Sequence, residues 1–371
     1  MFSQFLVKIG DHLAKGLPLT AYRKPGEDRV TAILQETDTL LYTEDFTETG
    51  FVFAPFDSER PTILIVPDEV HWANFDVQRD TGQTDPSVSG PTAGEKQHLD
   101  LIRRGIAEID REVMEKVVLS RKVEVPSDKS PMALFADLLQ LHPEAFCYLW
   151  YHPKVGTWLG ASPEVLLHVR HKHLQTMSLA GTLPVVPRKD PVWGAKEREE
   201  QAMVTRYISH TLKDHLSALK LSETESVRAG SVWHLRTGIS GSLGAGGLAA
   251  VLKALHPTPA VCGLPKKEAK AFILKHEPYD RTYYTGFLGE LNFGGNRYRK
   301  ARRRNVEERA YSMAKESTTL FVNLRCMQLL PNKAEIYVGG GITKDSVPVK
   351  EWQETLAKST TMLRVLQNPN N

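Results

Sequence analysis

The sequence predicts an α+β fold built on large antiparallel sheets. Strand-like segments come in runs and pairs instead of alternating strictly with helices. No strand leads into the glycine fingerprint that opens a dinucleotide-binding helix. With 371 residues the chain can bury a large core, as one big domain or two.

Residues 30–34, 50–54 and 62–66 are short apolar runs bounded by turn residues, and they read as strands. Residues 78–94 lie in the polar stretch QRDTGQTDPSVSGPTAGEK, rich in Gly, Pro, Ser and Thr, and read as a linker. They separate a first part, 1–77, from a main part, 95–371. From 99 to 113, Ile102, Ile106, Ile109 and Val113 recur on one helical face. KVVLSRKVEV at 116–125 reads as a strand, and 131–141 as a short helix. Two strand pairs follow: 146–151 with 157–159, around a turn at 153–156, then 165–169 with 174–179. Residues 196–216 form the longest expected helix, and 231–235 and 238–243 read as strands. Helices at 247–255 and 266–276 flank a Pro-rich loop. Strands at 285–292, 319–328 and 335–338 and a helix at 349–365 complete the chain, with no internal repeat.

Composition narrows the class. A chain that is 41% hydrophobic and 25% charged is ordinary for a soluble enzyme, and a net charge of +3 is too small to argue for a nucleic-acid partner. The basic run RYRKARRR at 297–304 reads as a solvated loop before it reads as a nucleic-acid patch. Cys147, Cys262 and Cys326 are odd in number and far apart, so they fit reduced structural thiols and no metal spacing. The N-terminus lacks a basic n-region and a long apolar h-region, and no run reaches about 18 apolar residues. The expectation is a cytoplasmic protein with no membrane span.

The residues that carry chemistry are scattered. Gly339, Gly340, Gly341 and Ile342 form a glycine run after an apolar strand. Glu351, Glu354 and Lys358 follow at i, i+3 and i+7, on one face of the last helix. Two carboxylates and an ammonium there suit a divalent cation and an acidic substrate; a solvated helix face would look the same. Lys116 opens a strand. Such a lysine ordinarily reaches water, but in a dry pocket it can act as a general base. Glu164, in GASPE at 160–164, precedes apolar residues that can raise its pKa and make it an acid; an ordinary turn glutamate is the alternative. Glu197 and Glu200 share the first turns of a helix, where carboxylates also complement the macrodipole. Oxygen-rich ligands from that helix and the last one would suit Mg²⁺. His234 follows a strand pattern and reads as a hydrogen-bonding histidine. Arg325, placed in a strand, needs an anionic partner from protein or ligand.

These pieces, in this order, resemble the chorismate-binding enzymes. The markers are KVVLSR at 116–121, GASPE, LAGT at 179–182, KEREEQ at 196–201 and HLRTGISG at 234–241. LHPTPAVCG at 255–263, EPYDRTYYTG at 277–286, LRC at 324–326, GGGI at 339–342 and EWQETLAK at 351–358 follow. The resemblance covers about 95–366; residues 1–77 resemble only the family's variable N-terminal part.

The resemblance implies an anthranilate synthase component I-like fold. Two large antiparallel sheets pack face to face with helices outside and the site between them. It implies that Glu200 and Glu354 are Mg²⁺ ligands, supported by Glu351 and Glu197. Tyr284, Arg325, Gly339, Gly340 and Lys358 hold substrate carboxylate, while Gly181, Thr182, His234 and Thr237 line the pocket. Lys116 matches the water-activating lysine of isochorismate- and salicylate-forming members. Ala180 stands where aminodeoxychorismate-forming members carry a nucleophilic lysine. Gln201 departs from the family's frequent histidine. The expected reaction is reversible conversion of chorismate to isochorismate, with Lys116 as base and Glu164 as acid, for menaquinone or siderophore biosynthesis. The substrate is the only expected partner, with no nucleic acid, membrane or obligate protein. Salicylate formation and a catalytically silent chorismate-binding protein are the alternatives.

Overall fold

The computed structural model describes residues 2–77, 93–186, 189–229, 232–294 and 316–368. In chain order its elements are α1 (Phe2–Ala14), β1 (Leu19–Arg23), β2 (Arg29–Leu34), β3 (Leu41–Thr43), β4 (Gly50–Ala54), β5 (Thr62–Ile65), β6 (Glu69–Asn74), α2 (Glu95–Asp110) and β7 (Lys116–Pro126). Then come α3 (Pro131–Leu141), β8 (Phe146–His152), β9 (Gly156–Ser162), β10 (Val165–Arg170), β11 (His173–Pro184), α4 (Ala195–Leu212), β12 (Leu216–Leu221), β13 (Glu225–Ala229) and β14 (Val232–Leu243). The last are α5 (Gly247–Leu255), β15 (Gly263–Leu264), α6 (Lys266–His276), β16 (Phe287–Phe293), β17 (Ser317–Val322), β18 (Cys326–Leu330), β19 (Lys333–Ile342) and α7 (Pro348–Gln367).

The strands form two sheets. One has nine strands in the order β15-β7-β19-β18-β9-β8-β1-β2-β6. The other has ten, β12-β14-β11-β10-β17-β16-β4-β5-β3, with β13 sharing the edge of β14 beside β12. Neighbours pair antiparallel, as in β7 with β19 and β11 with β14. Alternation then gives each sheet an inner and an outer face. The inner faces meet in an aromatic core. Tyr22, Phe146, Tyr148, Trp150 and Trp158 come from the nine-stranded sheet and Phe51, Phe53 and Phe321 from the other. Phe146 stacks on Phe321 across the gap at 4.0 Å.

Helices cover the outer faces. α1, α3 and α7 bury Ile9, Leu138 and Leu363 against the nine-stranded sheet, and α2 and α6 extend that layer. α4 and α5 bury Val204, Ile208 and Val251 against the ten-stranded sheet. Local sequence supports these placements. Ser130 caps α3 by accepting from the Ala133 N–H at 3.2 Å, with Pro131 at its first position. Residues 19–74 supply six strands, three to each sheet.

The structure corrects several element boundaries. The expected helix 196–216 ends at Leu212, and Leu216–Leu221 is a strand: its pairing with β14 overrides helix propensity. The expected strand 319–328 is two strands in different sheets, and Arg325 lies between them with φ +47°. Val232–Leu243 is one long strand where two were expected. Helix α1 and strands β1, β3, β6, β12 and β13 were not anticipated. The 3.6-residue pattern of Phe2, Phe5, Ile9 and Leu13 carries α1. Most of the expected linker and the basic run lie outside the described residues.

One tight approach fixes the sheet edge next to the cleft. A Cβ built on Gly286 would lie 1.9 Å from the Ala54 carbonyl oxygen. The Gly286 carbonyl meanwhile accepts from the Asn323 N–H at 2.8 Å. Gly286→Ala should therefore destabilise the fold by about 1–3 kcal/mol or more. Thermal unfolding checks this, and an unchanged melting temperature would contradict the packing.

Candidate active site

The nine-stranded sheet supplies the floor. β18 pairs with β19 only as far as Tyr337, whereas β7 follows β19 to Ile342. Residues 338–342 thus have a strand partner on one side only, and three of them are glycines. The missing side chains leave room. A Cβ on Gly341 would lie 3.0 Å from Lys116 Cε, one on Gly339 would lie 3.1 Å from the Tyr284 hydroxyl, and one on Gly340 would approach Glu351 Oε2 and Glu354 Oε1 at 3.6 and 3.8 Å. The glycine run is therefore the meeting point of Lys116, Tyr284, Glu351 and Glu354.

Lys116 is 3% exposed and its Nζ donates to Glu200 Oε1 at 3.0 Å. Burial opposes ionisation of Glu200, but the Lys116 charge and hydrogen bond, with Lys196 and Lys358, hold its carboxyl below the usual range. Lys358 donates to the Gly339 carbonyl at 2.9 Å and pairs with Glu354 at 2.5 Å. Burial pushes the Lys358 ammonium down, against the Glu354 charge and with the Arg325 charge. Burial raises the Glu351 carboxyl, and neighbouring Glu354 raises it further. Lys358 acts on Glu200 and Glu351 and pairs with Glu354, so the Glu200 turn of α4 and the Glu351–Lys358 turns of α7 face one cleft.

The other wall comes from two corners where the chain passes between sheets. Glu164 lies between β9 and β10, and Arg325 between β17 and β18. Glu164 is half-buried, and burial pushes its carboxyl up to about 7, with the Lys116 charge opposing. That opposition places Lys116 and Glu164 within electrostatic reach. The guanidinium of Arg325 makes no hydrogen bond among the described residues. Burial lowers its pKa, and the neighbouring Tyr284 and Glu354 charges oppose that. A desolvated guanidinium without a bonded anion is suited to a ligand carboxylate.

Other expected residues line the approach. His234 Nδ1 lies 2.9 Å from the Gly181 carbonyl and 3.3 Å from Thr182 Oγ1, and burial lowers its pKa, which favours the neutral ring. Thr237 is buried, bonded to Gln201 Nε2 at 3.2 Å and Thr224 at 2.8 Å. Gln201 also donates to Ser178, so it ties α4 to β11 and β14. Glu197 is engaged at its own helix start. Its carboxylate accepts from the Gly194 N–H at 3.0 Å, closing the start of α4.

Among the described residues no three His, Cys, Asp or Glu side chains cluster as a metal cage. Two carboxylates, completed by waters and ligand oxygens, nevertheless match the donor set of a small hard divalent cation. Glu200 and Glu354, each holding a lysine ammonium, fit that chemistry.

Sequence reasoning missed the polar layer beneath the floor. Arg281 forms a fork on Glu277 at 2.6 and 2.7 Å and also donates to the Val118 and Val261 carbonyls. Glu277 in turn accepts from Ser120 N–H and Oγ at 2.7 and 2.8 Å. The network ties β7 to the loop before β15 and to the segment bearing Tyr284. Its signal was the i, i+4 spacing of Glu277 and Arg281.

A cleft with three cationic side chains, a floor stripped of side chains, and acid and base candidates within reach defines an enzyme site for a small multiply anionic substrate. The chain belongs to the chorismate-binding enzyme family, whose models match residues 69–297 and 310–364. It is 29% identical over 338 residues to isochorismate synthase DhbC of Bacillus subtilis, spanning 84% of this chain and 79% of that one. It is 27% identical over 332 residues to isochorismate synthase EntC of Escherichia coli, spanning 84% and 79%. Two solved structures share the fold. Menaquinone-specific isochorismate synthase MenF of Escherichia coli has TM-score 0.74 and 22% identity, covering 94% of this chain and 89% of that one. Anthranilate synthase component I of Streptococcus pneumoniae has TM-score 0.67 and 18% identity, covering 93% and 90%.

Glu277→Ala should leave Arg281 buried without a counter-charge, at a cost of about 3–5 kcal/mol. The double substitution Glu277→Leu with Arg281→Met should recover much of that loss. Denaturant unfolding of both variants checks it, and equal stabilities would show that the pair carries no coupling.

Proposed function

We propose that this protein is an isochorismate synthase, converting chorismate reversibly to isochorismate. The observation that carries the reading is a buried Lys116, bonded to Glu200, whose charge reaches the raised Glu164 carboxyl beside Arg325 and Lys358. Chorismate has two carboxylates, and Arg325, Lys358 and Tyr284 provide a guanidinium, an ammonium and a phenol to hold them. Lys116 removes a proton from water as its oxygen attacks ring carbon 2. The ring double bonds shift, and Glu164 gives its proton to the hydroxyl leaving carbon 4. Lys116 must first shed the proton it shares with Glu200. With a carboxyl pKa of about 7, Glu164 holds a proton near neutral pH and can give it up.

Glu200 and Glu354 would hold Mg²⁺, with Glu351 beside them. When bound, the ion supplies charge neutralisation at the substrate carboxylate. Ala180 supports water as nucleophile, because no lysine stands there to form an adduct. The product would feed menaquinone or siderophore biosynthesis in the cytoplasm, without an obligate protein partner. No described helix is long and apolar enough to cross a membrane.

Incubation of purified protein with chorismate and Mg²⁺, followed by chromatography, should yield isochorismate. Salicylate as main product would replace this reading with its relative. Lys116→Ala should lower turnover by about 10²–10⁴-fold while chorismate still binds. Forward turnover should fall as pH rises through about 7, because Glu164 loses the proton it must donate; a flat profile there would remove Glu164 as the acid.

Arg325→Ala should raise KM and lower kcat together, since a guanidinium fork sets the ring's angle as well as its charge. Arg325→Lys should recover only part of both. Were Arg325→Ala to change the melting temperature alone, the carboxylate site would lie elsewhere.

A further inference from the structure

Thr258 is the strongest unexplained polar group near the cleft. It belongs to the loop between α5 and β15, is 6% exposed, and its hydroxyl Oγ1 is buried without a hydrogen-bond partner. A buried hydroxyl left unpaired forfeits its hydration with no return, so a partner is expected. The loop itself is firmly held. The Thr258 carbonyl accepts from Val261 and Cys262 N–H at 3.1 and 2.9 Å, and His256 Nε2 lies 2.8 Å from the Pro55 carbonyl. The hydroxyl therefore cannot easily swing away to find one.

Thr258 and Glu164 line the same small cavity, of about 10 Å³. That volume holds one water, provided it finds two to four polar partners. Three side chains of the lining offer them: Thr258, Glu164 and Thr176. Thr176 Oγ1 already donates to the Leu166 carbonyl at 2.6 Å and so remains able to accept. The rest of the wall is largely apolar, with Leu179, Val204 and Ile208. The carboxyl oxygens of Glu164 make no hydrogen bond among the described residues.

We propose that Thr258 is a positioning residue for Glu164, acting through one buried water that accepts from the Thr258 hydroxyl and donates to one carboxyl oxygen. The second carboxyl oxygen, which carries the transferable proton, then faces the cleft. Thr258 does not touch substrate in this arrangement; it fixes the carboxyl's rotation. Among the described residues Lys116, from β7, is the one charged group that acts on Glu164. α4, β11 and the loop present only neutral side chains to the cavity. A donor to the ionised carboxyl opposes the effect of burial, so its loss should raise the acid's pKa further.

The inference rests on reading Glu164 as the acid, and the test separates the two. Steady-state kinetics are measured across pH for the wild type, Thr258→Val, Thr258→Ser and Glu164→Gln. Thr258→Val keeps the shape and removes the donor. It should lower kcat by about tenfold, part of the 10²–10⁴ a general acid supplies, with KM within about twofold. The alkaline limb of its kcat profile should move up by about one pH unit, the scale of a lost hydrogen bond to a charged group. Thr258→Ser should restore both. If Thr258→Val matches the wild type while Glu164→Gln is inactive, the positioning role is refuted and the acid assignment survives. If Val and Ser variants lose turnover equally with no movement of the limb, Thr258 merely shapes the loop and the proposal fails. An active Glu164→Gln removes the acid and the proposal with it.

Discussion

The cleft depends on one bent ribbon. β9 and β18 are neighbours in the nine-stranded sheet, and β10 and β17, their direct continuations, are neighbours in the other. The two chains cross from sheet to sheet side by side, stitched at the bend. Ala161 N–H donates to the Arg325 carbonyl at 3.0 Å, Val322 N–H to the Glu164 carbonyl at 3.0 Å, and Ser162 Oγ to the Val322 carbonyl at 2.5 Å. Glu164 and Arg325 are the residues at the turn. A ladder cannot continue through such a corner, so their side chains are released from the pleat and point where strand geometry would not send them. The positive φ of Arg325 is the local strain that this corner holds in place.

This explains what could be read from the sequence. The class of fold, the glycine run, the last helix and the existence of Lys116 and Glu164 were legible, because each rests on local pattern. Arg325 was legible as a residue and not as a position. LFVNLRCMQLL reads as one mostly apolar run, and no Gly or Pro marks Asn323 to Arg325 as the step between sheets. LSALKL at 216–221 was hidden for a related reason, since only the β14 edge makes it a strand. Glu197 was grouped with the metal-site acids by spacing on the helix. Spacing does not reveal that its carboxylate also accepts from the Gly194 N–H at the helix start.

The site stores its charges in pairs. Lys116 with Glu200 and Lys358 with Glu354 are ion pairs at the lip, and Glu277 with Arg281 is a fully buried one below. The buried pair repays its desolvation through its extra hydrogen bonds to Ser120, Val118 and Val261. In the lip pairs the carboxylates of Glu200 and Glu354 are partly exposed, and Lys358 has one further bond, to the Gly339 carbonyl. Their partners can therefore be exchanged for charges that arrive with a ligand, while the pair below keeps the floor rigid.

The sheet order also dictates when this protein can finish folding. Ala54 in β4 pairs with Phe287 in β16, and Ala21 in β1 with Leu149 in β8. At about 5–20 residues per second, a ribosome needs on the order of tens of seconds after making β4 before its partner emerges. During that interval Gly50–Ala54 and Thr62–Ile65, apolar strands destined for full burial, can pair only with each other and with β3, and the β4 edge that β16 will cover stays open. Until then that open edge is a template for pairing with other chains, a hazard set by the order of synthesis and absent from the finished fold.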